Sequence, residues 1–396
     1  MEWIKLGDIA SVITKGTTPT TLGFEFVDSG INFIKIESIS EDGKFINDKF
    51  NHITSECDDK LARSRLQKND VLFSIAGAIG RTAIVTEDIL PANTNQALAL
   101  IRIPEGIINY VYLKYALQSS VVRDQFEKRK QGVAQLNISL KDIANFNIPL
   151  PSKAEQQKIV DFIEKVEMLL SLRKQQLAKL DELVKSRFVE MFGDPESNPM
   201  GWPIKKLNAV VSSITAGWSA NGEARPKKAG EKAVLKVSAV TQGYFKPDEH
   251  KVIPADMEIK KYVYPQKGDL LFSRANTREL VGATAIIDQD YPELLLPDKL
   301  WKVLFTSEMD VYYAKHILST QAIRKVFSSQ STGTSGSMYN VSAEKFRDTL
   351  IPVPPIGLQH EFADFVQQTD KSKLAIQQSI DQLETLKKSL MQKYFG

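Results

Sequence analysis

The sequence of 396 residues is poor in the residues that build disulfides and metal centres. Its single cysteine, Cys57, excludes an intrachain disulfide, and its four histidines are scattered without the spacing of metal ligands. No stretch reaches the apolar length that spans a bilayer, and the opening "MEWIKLGDIASVITKG" lacks the apolar core of a signal peptide. Because a lone cysteine fits a reducing compartment, we expect a cytoplasmic protein that does not contact a membrane.

Catalytic signatures are scarce as well. Neither Gly-x-x-x-x-Gly-Lys-Ser/Thr nor Gly-x-Gly-x-x-Gly occurs in the chain. The segment "AGAIGR" (76–81) lacks the phosphate-binding lysine, and "SNPM" (197–200) lacks the second proline and the aromatic residue of an amino-methyltransferase motif. The net charge of +3 is too small to identify a partner by itself. We therefore predict a binding protein that carries no catalytic residues and binds no cofactor or metal.

The most informative feature that is present is an internal repeat. Residues 148–193 align without a gap with residues 351–396, and 13 of the 46 aligned pairs are identical, where chance gives about three. The segments before them match more weakly, as in "KNDVLFS" (68–74) and "KGDLLFS" (267–273). We predict two pseudo-repeated α+β globules, 1–147 and 202–350, two helical regions, 148–193 and 351–396, and a linker, 194–201.

Each repeated segment predicts a long helix. Ser152 and Glu155 form a Ser-x-x-Glu capping box in the first copy, and Gly357 is the candidate cap in the second. Apolar residues then follow at a 4-3 spacing that favours an antiparallel coiled coil, although a helix lying on its own globule gives the same spacing. About 39 helical residues would make a spacer of roughly 58 Å. The residues predicted to pair the helices are Ile159, Ile163, Val166, Leu170, Leu177, Leu180, Val184, Phe362, Val366, Ile376, Ile380, Leu383 and Leu390.

Each globule is predicted to have a curved sheet, a few helices and long polar loops. Arg, Asn and Gln side chains suit base edges, whereas Lys, Ser, Thr and backbone amides suit phosphates. Any one loop could be an ordinary solvated loop, but these loops occur at matched places in both halves. The residues predicted to bind DNA are Lys15, Thr17, Thr18, Lys35, Arg81, Asn93, Asn95, Arg129, Lys130, Gln131, Arg225, Lys227, Lys228, Lys236, Arg274, Asn276, Arg278, Thr334 and Ser335.

The chain resembles the specificity subunits of type I restriction-modification enzymes. The resemblance rests on the order of variable and repeated regions, on "IPLPSKAEQQKI" (148–159), on "LNIS" (136–139) and "YNVS" (339–342), and on "FVEMFGDPESNPMGWPIKKL" (188–207). It implies two target recognition domains that each read half of a bipartite double-stranded DNA sequence. It also implies that the helices set the half-site spacing and dock two methyltransferase subunits, which would bind S-adenosylmethionine. Restriction translocase subunits would join that core.

Two other classes stay open on the residues alone. A two-domain coiled-coil scaffold that binds protein rather than DNA would show the same repeat and the same helices. An enzyme with an unrecognised site is the second alternative. Association with a methyltransferase subunit, followed by methylation of adenine in a split motif, distinguishes the DNA-reading class from both.

Overall fold

The structure, a computed structural model, describes residues 2–127, 137–330 and 339–396. The chain forms two compact units. The first contains Met1–Lys174 together with Gln378–Gly396, and the second contains Gln175–Gln377. The division falls inside the two long helices, so each unit holds one globule and parts of both helices. The predicted domain limits, which fall where the helical regions begin and end, stay a prediction.

The first globule consists of short strands and short helices. Its strands are β1 (Trp3–Lys5), β2 (Val12–Lys15), β3 (Ile31–Ile34), β4 (Asn51–Ile53), β5 (Val71–Ser74), β6 (Thr82–Ile84), β7 (Ala92–Thr94), β8 (Leu98–Arg102) and β9 (Asn147–Pro149). Its helices are α1 (Leu6–Ile9), α2 (Ser55–Lys60), α3 (Tyr110–Gln118), α4 (Ser120–Glu127) and α5 (Leu140–Ala144). The first long helix, α6 (Lys153–Phe192), begins shortly after β9.

The second globule repeats this arrangement. Its strands are β10 (Ile204–Lys206), β11 (Val211–Ala216), β12 (Ala233–Leu235), β13 (His250–Val252), β14 (Leu270–Ser273), β15 (Ala275–Asn276), β16 (Thr284–Ile286), β17 (Leu294–Leu295), β18 (Leu300–Phe305), β19 (Tyr339–Asn340) and β20 (Leu350–Pro352). Its helices are α7 (Leu207–Val210), α8 (Val311–Ser319), α9 (Gln321–Gln330) and α10 (Ala343–Asp348). The second long helix, α11 (Ile356–Phe395), follows β20.

The sheet topology confirms the α+β repeat. The four-stranded sheet has the order β2-β8-β5-β6 in the first globule and β11-β18-β14-β16 in the second. Each globule also has a three-stranded sheet, β4-β3-β7 or β13-β12-β17, and a terminal pair, β1-β9 or β10-β20, and the second globule adds the pair β15-β19. The expected single curved sheet is therefore divided. The 3-10 turns Ile36–Ser38 and Val237–Ala239 end the strands before them, so one ladder does not continue through the globule.

Each globule builds its core together with the ends of both long helices. In the first unit, Ile163 of α6 and Phe395 of α11 are completely buried in the cluster that contains Phe73 and Tyr112. The rings of Phe395 and Tyr112 lie 5.1 Å apart. The predicted alternative, a helix lying on its own globule, therefore describes the start of α6.

The second unit uses the opposite ends of the same helices. Phe188 and Phe192, near the end of α6, pack with Tyr313 of α8 and Phe362, near the start of α11. The Phe188 and Phe362 rings meet edge to face with their centroids 5.4 Å apart. Each globule is thus held by the beginning of the helix that leaves it and the end of the other helix.

Within each unit the two long helices run antiparallel. In the first unit, Lys387 Nζ lies 2.7 Å from the Glu167 carboxylate, and Lys174 Nζ lies 3.8 Å from Glu384. The residue numbers therefore rise along one helix as they fall along the other. In the second unit, Lys373 Nζ lies 2.7 Å from an Asp181 carboxylate oxygen. This arrangement confirms the predicted antiparallel coiled coil.

The residues predicted to pair the two helices are all buried or half-buried. Ile159, Ile163, Val166, Leu170, Val184, Phe362, Val366 and Ile380 are buried. The half-buried members are Leu177, Leu180, Ile376, Leu383 and Leu390. Five of the buried members belong to the globule cores: Ile159, Ile163, Val184, Phe362 and Val366.

The two helix starts differ as the sequence indicates. The Ser152 N–H donates to the Glu155 carboxylate at 3.1 Å, and the Glu155 N–H donates back to Ser152 Oγ at 3.4 Å. The Ser152 hydroxyl also donates to the Glu155 carboxylate at 2.9 Å, and this bond, together with the bond from the Ser152 N–H, lowers the pKa of Glu155. The proposed Gly357 cap is wrong, because α11 begins at Ile356 and Gly357 lies inside its first turn. The Pro355 carbonyl accepts the first helical hydrogen bonds there.

Candidate nucleic-acid interface

Two loops meet at one edge of the four-stranded sheet in the first globule. The loop that follows β2 contacts the loop that precedes β8, because these strands are antiparallel neighbours. The Gly16 N–H donates to the Asn95 carbonyl at 3.1 Å, and a Cβ on Gly16 would lie 1.7 Å from the Thr94 carbonyl oxygen. Only glycine allows this approach. Thr18 Oγ1 donates to the side-chain oxygen of Gln96.

The second globule ties its corresponding loops together in the same way. The Trp218 N–H donates to the Leu296 carbonyl at 2.8 Å, and a Cβ on Gly217 would lie 1.8 Å from the same oxygen. The Ser219 hydroxyl donates to the Asp298 carboxylate, as Thr18 donates to Gln96 in the first globule. Matched places in the two globules therefore present a pair of loops in one fixed arrangement.

Several predicted DNA-binding residues come together at these loop pairs. Lys15 is exposed, and Thr17, Thr18 and Asn95 are half-buried beside one another in the first globule. In the second globule, Arg274 donates from Nε to the Asp298 carbonyl at 2.9 Å. The loop pairs thus carry hydroxyl and cationic groups at a surface edge of each globule, and the first globule adds the Asn95 amide.

A second polar group in the first globule surrounds the 3-10 turn Ile36–Ser38. Arg81 Nη1 donates to the carbonyls of Ile36 at 3.2 Å and Ile39 at 2.7 Å. Lys35 Nζ lies 4.4 Å from the Phe26 ring centroid, a cation–π distance. Arg81 therefore anchors the loop 76–81 in addition to any role towards DNA.

Two predicted base-reading amides are corrected by the structure. Asn93 is completely buried, and its Nδ2 donates to Asp58 at 2.8 Å and to the Leu61 carbonyl at 3.1 Å. Asn276 is 9% exposed, and its Oδ1 accepts the Thr277 N–H at 2.9 Å. In this conformation neither amide is free to meet a base edge, because folding of its own globule already uses it.

Two predicted cations of the loop 223–228, Arg225 and Lys227, are paired with acids. Arg225 donates both terminal nitrogens to Glu231 at 2.7 Å and Nε to Glu223 at 2.9 Å. The Arg225 bonds lower the pKa of Glu231 to about 2. Lys227 contacts Glu293, so its positive charge is also offset locally.

Other predicted cations are paired with acidic side chains only loosely or not at all. Lys236 Nζ lies 3.6 Å from Glu249, a loose contact. Among the described residues, Lys15, Lys228 and Arg278 are exposed and have no ion-pair partner. These three are the most available to phosphate oxygens. The predicted residues Arg129, Lys130, Gln131, Thr334 and Ser335 lie outside the described residues.

Two buried glutamines that sequence reasoning did not include join each globule to its long helix. Gln156 Oε1 accepts the Asn109 N–H at 2.8 Å, and its Nε2 donates to the Pro151 carbonyl at 2.9 Å. Gln359 makes the same bonds with Asp310 and Pro354, both at 2.8 Å. The signal was available, because Gln156 and Gln359 are an identical pair in the repeat alignment.

The described part of the chain shows neither a cluster of metal ligands nor a membrane-spanning helix. No group of three or more His, Cys, Asp or Glu side chains there is arranged to hold a metal ion. No helix over the described ranges is long and apolar enough to cross a membrane.

Two repeated α+β globules with matched polar loops, each fastened to an antiparallel helix pair, define a two-domain recognition protein. The chain belongs to the family of the type I restriction modification DNA specificity domain, whose model matches residues 1–182 and again 199–385. The two matches correspond to the two halves of the repeat. They confirm the resemblance seen in the sequence.

Known relatives agree with this assignment. The chain is 37% identical over 172 residues to the specificity subunit of the type I restriction enzyme EcoBI from Escherichia coli, covering 42% of this chain and 35% of that protein. It is 24% identical over 317 residues to the EcoKI specificity subunit of Escherichia coli strain K12, covering 74% and 66%. These relatives are named as specificity subunits, and this chain spans between about one third and two thirds of their length.

A solved structure supports the fold over the whole chain. The S subunit of a type I restriction-modification system from M. genitalium superposes with a TM-score of 0.55 at 14% identity. The superposition covers 100% of this chain and 96% of that one. Both globules and both long helices therefore belong to a known architecture.

Proposed function

We propose that this chain is the non-catalytic DNA specificity subunit of a type I restriction-modification complex. Each globule reads one half of a bipartite double-stranded target, and α6 and α11 set the distance between the half-sites. The observation that carries the proposal is the duplication of the whole device. Each globule has the same pair of tied loops and the same glutamine junction, and each junction opens a helix of 40 residues.

The junctions suit a protein that must hold its readers in fixed positions. Besides the glutamine contacts, Tyr112 Oη donates to the Pro149 carbonyl at 3.0 Å, and Tyr313 Oη donates to the Pro352 carbonyl at 2.7 Å. Both tyrosines are buried, and burial raises their pKa values. They therefore stay protonated as donors at neutral pH. A globule fixed to its helix in this way keeps a defined orientation towards its half-site.

The outer faces of the long helices suit protein partners. Large apolar side chains are exposed on these faces. Contiguous exposed apolar surface usually marks an interaction site. In the first unit these are Phe162, Met168, Leu169, Leu172 and Leu386. In the second unit they are Leu183, Val189 and Leu374. We propose that these faces dock two methyltransferase subunits, one for each unit.

The chemistry of the complex belongs to the partners. The methyltransferase subunits would bind S-adenosylmethionine and transfer its methyl group to adenine N6 in each half-site, while this chain binds no cofactor. Restriction translocase subunits would join the same core. The site of action would be the cytoplasm, where these partners meet DNA.

Reconstitution tests the proposal. The full chain is co-expressed with a cognate type I methyltransferase subunit, the complex is purified, and genomic DNA is incubated with it and S-adenosylmethionine. Sequencing that detects N6-methyladenine should find methylation within one split motif. A complex that forms but neither binds specific DNA nor methylates it would favour the protein-binding scaffold instead. If no complex and no methylated motif appear, the proposal fails.

A further inference from the structure

A lysine- and tyrosine-bearing stretch of the second globule, residues 256–264, lies against the tied loops of that globule. The Leu296 carbonyl accepts the Trp218 N–H within the loop pair, and the Leu296 N–H donates to the Val263 carbonyl, both at 2.8 Å. Ala220, two residues after Trp218, packs against the same apolar cluster as the first half of the stretch. The stretch is therefore continuous with the loop pair.

Lysines lie next to a tyrosine ring in this stretch. Tyr262 is 47% exposed, and its hydroxyl donates to the Pro292 carbonyl. Lys232 Nζ lies 4.9 Å from the centroid of the Tyr262 ring, a cation–π distance. Lys260 and Lys261, the two residues before Tyr262, are exposed. Three lysines thus lie close to one ring that the globule holds in place.

A fourth lysine comes from the neighbouring strand. Lys251 of β13 pairs with Val234 of β12, and the Lys232 carbonyl accepts the Ile253 N–H at 2.9 Å. Because opposite residues of an antiparallel pair share a face, as do alternate residues along each strand, Lys232 and Lys251 lie on the same face of the sheet. We call the following five residues the lysine–tyrosine surface: Lys232, Lys251, Lys260, Lys261 and Tyr262.

The positive charge of the lysine–tyrosine surface is not offset by ion pairs. None of its four lysines makes an ion pair within the described ranges of the chain. The acids of the same stretch, Asp256 and Glu258, are exposed and fewer than the lysines. Arg225 and Lys227 of this globule, in contrast, are paired with acids. Unpaired lysines beside loops that face DNA suit contacts to phosphate oxygens.

The matched stretch of the first globule differs. Residues 54–70, which join β4 to β5, contain no tyrosine, whereas residues 253–269 contain two. The stretch in the first globule forms α2, whose first turn holds Glu56 and Asp58. The lysine–tyrosine surface is thus a feature of the second globule and not part of the repeated loop arrangement.

We propose that the lysine–tyrosine surface binds the phosphate backbone of the duplex beside the second half-site, without reading its sequence. The inference rests on the proposed function, because it takes the tied loops as the base readers. The major groove is about 12 Å wide, so a duplex that meets the loop pair brings phosphates to the adjoining stretch. Tyr262 positions Lys232 for such a contact. Phosphate contacts strengthen binding to every sequence and weaken as salt rises.

Binding of a random-sequence duplex at several salt concentrations tests this surface on the full-length chain. Lys260→Gln with Lys261→Gln removes two exposed charges. Fluorescence anisotropy should show weaker binding and a salt dependence that is smaller by about two phosphate contacts. Lys371→Gln with Lys388→Gln removes the same charge from exposed positions of α11 and should leave the salt dependence unchanged.

The methylated motif supplies the second readout. The complex reconstituted with the Lys260→Gln, Lys261→Gln chain should methylate the same motif as the unmodified complex, because phosphate contacts carry no sequence information. An unchanged salt dependence in this variant overturns the proposal and leaves the surface to an acidic protein partner. A motif that changes in one half overturns it too, since the lysines would then read bases. If the unmodified chain binds no duplex, the proposed function fails as well, whereas normal binding with an unchanged salt dependence removes this inference alone.

Discussion

The backbone N–H of Asn109 donates to Gln156 Oε1 at 2.8 Å, which ties the start of α3 to the first turn of α6. Asn109 also caps α3, because its side chain accepts the N–H groups of Val111 and Tyr112. Gln156 is 1% exposed, so water does not replace this bond. One buried side chain therefore links the globule and the helix.

Replacement of Gln156 by alanine should destabilise the chain. The substitution removes the partner of the part-buried Asn109 N–H and of the Pro151 carbonyl, which costs up to about 1–3 kcal/mol for each group that stays unsatisfied. Urea unfolding measures the change. Gln175→Ala, at an exposed glutamine of α6, is the control and should change the unfolding free energy by less than about 0.5 kcal/mol. Equal effects of the two substitutions would show that the junction contact does not stabilise the chain.

The stability of the second globule should depend on pH through His316. Its ring packs 4.9 Å from the Phe362 centroid, and burial, with the nearby charge of Lys315, lowers the pKa of His316 to about 3. The unfolded chain binds this proton below about pH 6.5, whereas the folded chain does not until about pH 3. Stability is therefore lost as the pH falls from 6.5, by about 2 kcal/mol at pH 5.

Urea unfolding at pH 7.5 and pH 5.0 measures this loss. His316→Gln should remove most of the His316 contribution, because glutamine does not titrate. His360→Gln, at an exposed histidine, should retain the full difference between the two pH values. If His316→Gln lost as much stability at low pH as the unchanged chain, the buried neutral ring would not be its source.

Arg278 should contribute to DNA affinity without selecting sequence. It is exposed and has no ion-pair partner among the described residues, so it is free to contact a phosphate. Arg278→Ala in the reconstituted complex should weaken binding to specific and non-specific duplexes alike and reduce the salt dependence by about one phosphate contact. Fluorescence anisotropy at several salt concentrations measures both. Lys388→Ala, on α11, should leave the slope unchanged.

The anchoring arginines should instead affect one half-site each. Arg81 holds the loop 76–81 in the first globule, and Arg274 holds the loop at Asp298 in the second. Arg81→Ala should therefore relax the motif read by residues 1–147, whereas Arg274→Ala should relax the other half. Sequencing of methylated DNA from each variant complex reads the result. Relaxation of both halves by either substitution would contradict separate reading.

Charge on the outer face of α6 should block partner binding without unfolding the chain. Leu169 and Leu172 are 42% and 48% exposed, so Leu169→Glu with Leu172→Glu removes little buried surface. Binding of the methyltransferase subunit, measured by analytical ultracentrifugation, should fall from two copies towards one. Ser171→Glu adds one negative charge on another side of the helix and should keep both copies bound. Normal stoichiometry in the double variant would place the docking face elsewhere.

The long helices were predictable from the sequence because their signals are local and repeated. The Ser152–Glu155 box and the 4-3 spacing of Ile159, Ile163 and Val166 depend on neighbours within one or two turns. The α+β class followed from strand-like runs between turn residues. The division into separate sheets did not, since it depends on which short strands meet across the chain.

The candidate site was less predictable than the fold. Asn93 and Asn276 resemble base-reading amides in the sequence, and only their burial assigns them to the interior. Gln156 was marked in the sequence only by its identity with Gln359 in the repeat, because its role arises from a distant backbone group. Side chains whose partners are far away in the sequence are the ones that a single sequence does not assign.

Exchange of the first globule tests the central claim most directly. Residues 1–147 are replaced by the corresponding segment of a relative with a different target, and the reconstituted complex methylates genomic DNA for sequencing. If each globule reads its own half-site and the helices set the spacing, one half of the motif changes while the other half and the spacing stay the same. A motif that changes in both halves, or that keeps both, would contradict this account.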